Sequence, residues 1–328
     1  MKTKIIFILV MALAQLSHSQ ISVGPKINVN LQQTKKFSEK KLQELKNTTT
    51  VFVLQFKDYD QEKIYREAIK SVWTITPFKV IRPEEIDKYS NEKFSIFTLD
   101  LLQIQITRGA STSNRFYFTY DLSIPFRNKK NKIRPESYAK IFLSPDHETL
   151  KATLGLQGRL NFTSNVMNYM YNDASFCNWG PGFLKGYLKT INDLLLEGKN
   201  RNPYYSFEDK EALQSLKGSI LYVTDDIYTK ANAFIGPLKS KSAESEDDGL
   251  DDGKYKFSVK VVSPKELNEL IMNSEEPIKY LIFSRMYPSN KKISVFDSKT
   301  AKLIYTDFRS MSLNFNKKDL RKISNLLN

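Results

Sequence analysis

Phe78-Lys79-Val80-Ile81-Arg82-Pro83-Glu84-Glu85-Ile86-Asp87 aligns without a gap on Val259-Lys260-Val261-Val262-Ser263-Pro264-Lys265-Glu266-Leu267-Asn268. Both stretches read as a strand, then a proline at a helix start, then an amphipathic turn. Proline suits the first helical position because its missing N–H would lack a partner there in any case. A second match follows in the same order, Leu188-Lys189-Thr190-Ile191-Asn192-Asp193-Leu194-Leu195 on Leu320-Arg321-Lys322-Ile323-Ser324-Asn325-Leu326-Leu327. Two ordered matches make the chain read as two tandem, duplicated units, a pattern that decides the fold class before any single element does.

The segments around these anchors agree in kind. In the first unit an apolar strand at 50–56 leads to a helix at about 59–73. After the Pro83 junction come strands at 94–107, 115–123 and 138–143. In the second unit a strand at 219–224 leads to a short helix at 226–234. After the Pro264 junction come strands at 278–285, 292–297 and 302–308, the last two turning at Ser298-Lys299-Thr300. Period-two alternation bounded by turn residues marks the strands. With an amphipathic helix closing each unit, the plan is β-α-β-α-β-β-β-α, an α/β (α+β) fold of two units with mixed sheets.

Outside the plan, Lys2 and Lys4, the apolar run Ile5 to Leu13 and the small residues Ser17 and Ser19 have the order of a cleavable secretory signal. The apolar run is too short to span a bilayer. The expected organisation is a signal peptide over 1–19, a polar arm over 20–47 with Ser38 capping a short helix, a first unit over 48–200, a linker over 201–217 and a second unit over 218–328. The second unit would contain an acidic loop at 240–253. The protein is expected to be exported to the periplasm or beyond, as a soluble chain without a transmembrane anchor.

With 41% hydrophobic residues over 328 positions the chain can build an ordinary core. It must, because Cys177 is the only cysteine and no internal disulfide can form. The formal charge of +14 draws attention to polyanions, but the basic residues are spread, and export argues against nucleic acid. No glycine-rich phosphate loop follows any strand, so nucleotide and other cofactors are not expected. His147 is the only histidine beyond the signal, which removes most histidine-based metal sites and limits any triad to one base. Its setting, Ser144-Pro145-Asp146-His147-Glu148, reads as a helix start capped by Ser144. The acidic run from Asp247 to Gly253 lacks the spacing of an EF-hand and reads as a solvated loop.

The opening strand Val51-Phe52-Val53-Leu54-Gln55-Phe56 together with the Phe78 to Asp87 junction resembles the small α/β domain at the N-terminus of TolB, also seen in CsgG-like envelope proteins. The resemblance covers about one third of the chain and is one of element order. It carries no catalytic residues, and it implies a periplasmic protein that works by contact with other proteins or the envelope.

Three functional readings follow. The first is a non-enzymatic binding protein whose partner is another envelope protein or a glycan. Trp179 and Phe183 in Trp179-Gly180-Pro181-Gly182-Phe183 are candidate contact residues, although loop anchoring explains them as well. The second is a glycan hydrolase with a carboxylate site at the seam between the units, since such chemistry needs no histidine. The third is polyanion binding, in which Arg127, Lys129, Lys130, Lys132 and Arg134 meet Lys291 and Lys292 on one face. Cys177, with no nearby base or cation in sequence, is expected to be a buried structural thiol.

Overall fold

The structure, a computed structural model, describes residues 20–28, 33–108, 111–127, 133–203, 205–232, 236–237, 254–286 and 290–328. The signal-like segment, the acidic loop at 240–253 and residues 128–132 of the basic run lie outside the described residues.

Two six-stranded mixed sheets organise the chain. The first contains β1 (Ile21–Val23), β4 (Thr49–Val53), β5 (Phe78–Ile81), β6 (Phe94–Arg108), β7 (Ser111–Arg127) and β8 (Ile133–Leu143); a hairpin of β2 (Lys26–Asn28) and β3 (Gln33–Thr34) stands beside it. The second contains β9 (Phe207–Glu208), β10 (Ile220–Thr224), β13 (Ser258–Val262), β14 (Lys279–Met286), β15 (Asn290–Asp297) and β16 (Leu303–Arg309); β11 (Ala231–Asn232) and β12 (Gly236–Pro237) form a small pair of their own. The strand orders are β5-β4-β6-β7-β8-β1 and β13-β10-β14-β15-β16-β9. In each sheet the opening strand is parallel to both neighbours and the later pairs are antiparallel. The same order in both sheets fits tandem units.

Register tightens the correspondence. Thr50 pairs with Phe78 and with Ser95, while Leu221 pairs with Val259 and with Lys279. Since Phe78 and Val259 are matched in sequence, Thr50 corresponds to Leu221. β4 has the continuous apolar character of a strand buried on both faces: Phe52 joins the core on one side, and Val51 and Val53 meet Ile81 and Ile96 on the other.

The helices are α1 (Glu39–Lys46), α2 (Phe56–Tyr59), α3 (Glu62–Lys70), α4 (His147–Leu156), α5 (Phe162–Asn172), α6 (Pro181–Leu196), α7 (Lys210–Gln214), α8 (Pro264–Asn273) and α9 (Lys317–Asn325). Ser38 caps α1 as expected, accepting from the Lys41 N–H. The helix expected at 59–73 is two pieces, α2 and α3. After Pro83 the chain makes a 3-10 helix (Pro83–Tyr89) where Pro264 opens an α-helix. The connection from β5 to β6 is four residues shorter than that from β13 to β14, about one α-helical turn. The helix start near His147 is capped by Asp146, whose side chain accepts from Thr149 N at 2.8 Å; Ser144 Oγ instead accepts from Arg285 N at 3.2 Å.

The segments ahead of each unit are more ordered than polar arms or linkers. β1 and α1 precede β4 just as β9 and α7 precede β10, and each short strand completes the far edge of its sheet.

The closing helix of the first unit is two-sided. α6 buries Phe183, Leu184, Tyr187, Leu188, Ile191 and Leu195, and one continuous core runs from Phe52, Phe97 and Tyr120 through these residues to Tyr280, Ile282 and Phe296 of the second sheet. A helix apolar on more than one face belongs between layers. On the far side of the second sheet, Leu320, Ile323 and Leu327 cover Leu221, Val223 and Phe283, with α9 lying one-sided as an amphipathic closing helix should.

Candidate functional site

The segment Trp179 to Phe183 starts α6 and is where the units lock. Gly180 has φ +149°, and a Cβ there would lie 2.5 Å from the Asn268 side chain; a Cβ on Gly182 would lie 2.9 Å from Ile271 Cβ. The glycines therefore allow α8 of the second unit to approach the helix start. Asn268 Oδ1 accepts from Gly182 N at 2.9 Å and Phe183 N at 3.2 Å, so one unit caps a helix of the other. Nearby, Asn178 Nδ2 donates to Phe142 O at 2.9 Å and Ser284 Oγ at 3.0 Å, joining β8 to β14.

Beside this lock lies a pocket of about 320 Å³ between the units, lined among others by Gln55, Lys57, Asp58, Tyr65, Trp179 and Glu269. β4 ends just before Gln55, and the short turn of α2 carries Asp58 back toward α6. Trp179 Nε1 donates to Asp58 Oδ2 at 2.6 Å, and the Tyr65 hydroxyl also bonds this carboxylate. Burial raises the Asp58 pKa; these two hydrogen bonds and the charge of Lys57 oppose the rise without cancelling it. Lys57 Nζ points to the loop, donating to Ser175 Oγ at 2.9 Å and to Ala174 O. Gln55 is 1% exposed; its Nε2 donates to Met170 O and Ala174 O, which fixes the amide and leaves Oε1 without a partner. Glu269 stands exposed at the rim. Elsewhere the seam is packed with the shared core, and these are the two carboxylates that line the pocket among the described residues.

A larger cleft, about 1140 Å³, occupies the other face of the first sheet. At its centre Lys140, 4% exposed, contacts Asp121 and stands 4.0 Å from Asp100 Oδ2. Burial pushes the Lys140 ammonium down and neighbouring Lys26 pushes the same way; Asp100 opposes the push, and Asp121 in direct contact favours the charged form. Lys26 itself is lowered to about 8 by burial, with Asp100 pulling it up. At one end Lys41 Nζ donates to Glu44 and Glu136 at 2.7 Å each. Five carboxylates (Glu44, Glu92, Asp100, Asp121, Glu136) face three ammonium groups (Lys26, Lys41, Lys140), and Leu102, Ile124 and Phe126 add apolar wall. On a chain of charge +14, this cleft is locally acidic.

The residues singled out from sequence fall in different places. Trp179 lines the seam pocket, whereas Phe183 is 1% exposed and packs against Tyr280 inside the shared core. Arg134 is exposed at the start of β8 and Arg127 ends β7, while Lys129, Lys130 and Lys132 lie outside the described residues. Lys291 and Lys292 are buried. Lys291 Nζ meets Asp319 Oδ2 at 2.5 Å, and Lys292 Nζ donates to Tyr205 O at 3.0 Å, with burial holding the Lys292 pKa well below the lysine range. They offer no exposed partner to the basic run. Cys177 is partly exposed, and burial of its thiol raises the pKa well above the cysteine range.

No family model, curated protein or solved structure matches the chain. Among the described residues no helix is long and apolar enough to cross a membrane, and no group of three or more His, Cys, Asp or Glu is placed to hold a metal.

Proposed function

We propose that the chain is an exported, soluble binding protein of the bacterial envelope, working by contact rather than catalysis, with the cleft on the first sheet as its contact surface. The signal-like segment and the resemblance of the first unit to TolB support the compartment. The observation that carries the reading is the cleft itself: a concave face of about 1140 Å³ in which Lys140 is engaged with Asp121 at the centre and Lys41 with Glu136 at one end. Charges held in pairs shape and select a surface, whereas a general acid or base must be free to exchange its proton. The acidic balance and the apolar wall suit a polypeptide segment carrying basic residues.

The test uses the mature chain as bait on its native envelope, followed by rebinding of the recovered partner to purified protein. Glu92→Lys with Asp100→Asn changes an exposed and a half-exposed cleft side chain and is expected to weaken that complex at least about tenfold. Equal affinity of variant and parent would sink the assignment of the cleft.

A further inference from the structure

The correspondence between the units exposes a difference in charge at the ends of their opening strands. With Thr50 corresponding to Leu221, Gln55 corresponds to Asp226; with Ser95 corresponding to Lys279, Leu101 corresponds to Arg285. In the second unit the acceptors have a cation. The Arg285 guanidinium is buried, donates to Asp226 O at 3.0 Å and to Thr229 O, and stands 3.8 Å from the Asp226 carboxylate. In the first unit Leu101 fills the corresponding position and packs in the core. The pocket there is lined by Asp58, whose carboxylate accepts from Trp179 Nε1, and by Gln55, whose buried Oε1 has no hydrogen-bond partner; no ion pair to Asp58 forms among the described residues.

We propose that the seam pocket binds a small organic cation through a primary ammonium or guanidinium group that pairs with the Asp58 carboxylate, as the Arg285 guanidinium stands beside the Asp226 carboxylate in the second unit. Three further observations agree. A buried acceptor left without a donor is unfavourable, so a donor-rich ligand recovers energy that a filled apolar pocket could not. The Trp179 indole N–H and the Tyr65 hydroxyl hold the carboxylate in a fixed position, which suits directional pairing with a donor group. The volume, about 320 Å³, is at the small end of ligand pockets. Of the charged groups lining the pocket, Lys57 is turned to Ala174 and Ser175, Lys265 is exposed, and Glu269 adds a carboxylate at the mouth. The same head group can come from a free amine or from a lysine or arginine side chain. The proposal is independent of the cleft on the other face of the first sheet.

The experiment follows the two indole N–H signals of the 15N-labelled protein during titration. Trp73 serves as internal control, since its Nε1 donates to Thr76 Oγ1 inside the core. Agmatine, or an end-capped tripeptide with a central arginine, is expected to shift the Trp179 signal saturably; 1,4-butanediol is not. A response to agmatine points to a free amine, and one confined to the peptide points to a side chain; both uphold the site. Asp58→Asn should weaken binding at least about tenfold. Lys57→Gln, at an exposed position, should tighten it about two- to fivefold by removing a like charge. The proposal falls if butanediol or glucose shifts Trp179 as cations do, if neither Asp58→Asn nor Lys57→Gln alters the response, or if no cation moves the signal up to about 10 mM.

Discussion

Gly186→Ala sets two effects of known sign against each other at the centre of the molecule. Alanine in a helix interior is favoured over glycine by about 1 kcal/mol, so on propensity alone the change stabilises. Gly186, however, lies where α6 crosses the second sheet. An added Cβ would stand 2.7 Å from the Tyr280 hydroxyl and 3.0 and 3.2 Å from two ring carbons of Phe296. Ordinary carbon contacts are about 3.5–4.0 Å. Neither ring can step aside: Tyr280 and Phe296 are stacked at 5.5 Å and 13°, both almost fully buried, and Tyr187 packs edge-on against Phe296 at 6.0 Å. Overpacking of this kind costs about 1–3 kcal/mol, which outweighs the propensity gain and leaves a net loss of about 1 kcal/mol. Gly155 is the control, because it sits in α4 with nothing within 4 Å of an added Cβ; Gly155→Ala should gain about 0.5–1 kcal/mol. Equilibrium urea unfolding followed by far-UV circular dichroism measures both variants, and an unchanged m-value certifies the comparison. Because one core spans both units, a single transition is expected. A midpoint for Gly186→Ala at or above that of the parent would refute the close packing of α6 on the second sheet.

Two further outcomes follow from buried groups. Burial pushes Asp226 up to about 6, above the value near 3.9 of an unfolded aspartate, so the folded state holds the proton more tightly; this contribution to stability is complete below about pH 4 and lost as pH rises through about 6. Asp226→Asn should remove about 1–3 kcal/mol of that dependence, read as the difference between variant and parent from pH 4 to 7, and a constant difference would count against a buried carboxyl. Cys177, with its raised pKa, should react with a thiol reagent at pH 8 at least about tenfold more slowly in the folded protein than in urea, and equal rates would show that the thiol is open.

Much of the architecture was legible because it rests on local signals. The Pro83 and Pro264 junctions carry their meaning in ten residues, and the strands of the second sheet alternate or run apolar as burial demands. The edge strands β1 and β9 were not legible: at three and two residues they are held by pairing with β8 and β16, and nothing local distinguishes them from a polar arm. The two-sided burial of α6 did leave a trace. Gly182 and Gly186, four apart, are on one side of a helix otherwise rich in leucine, a spacing that permits close approach. Lys291 and Lys292 misled, because adjacent strand residues point to opposite faces and both faces of this sheet are covered; Asp319, which receives Lys291, lies 28 residues further on. The seam pocket draws Asp58, Trp179 and Asn268 from three distant segments, so no motif spacing announces it.

The two units place their charges differently. The second sheet is covered on one side by α9 and on the other by α6 and α8, its strand-end carboxylate has its own arginine, and its buried lysines are bound by Asp319 and by the Asn314 and Tyr205 carbonyls. The buried cations there, Arg285, Lys291 and Lys292, are each met by acceptors of the same unit. The first sheet repeats the topology without that arginine: Leu101 stands in its place, and the face bearing Asp100, Asp121 and Lys140 lines an open cleft in which Lys140 contacts Asp121. Two units on one plan need not carry the same load: on the proposals above, the second unit, which caps α6 through Asn268, supports the first, whose cleft and seam pocket would meet the ligands.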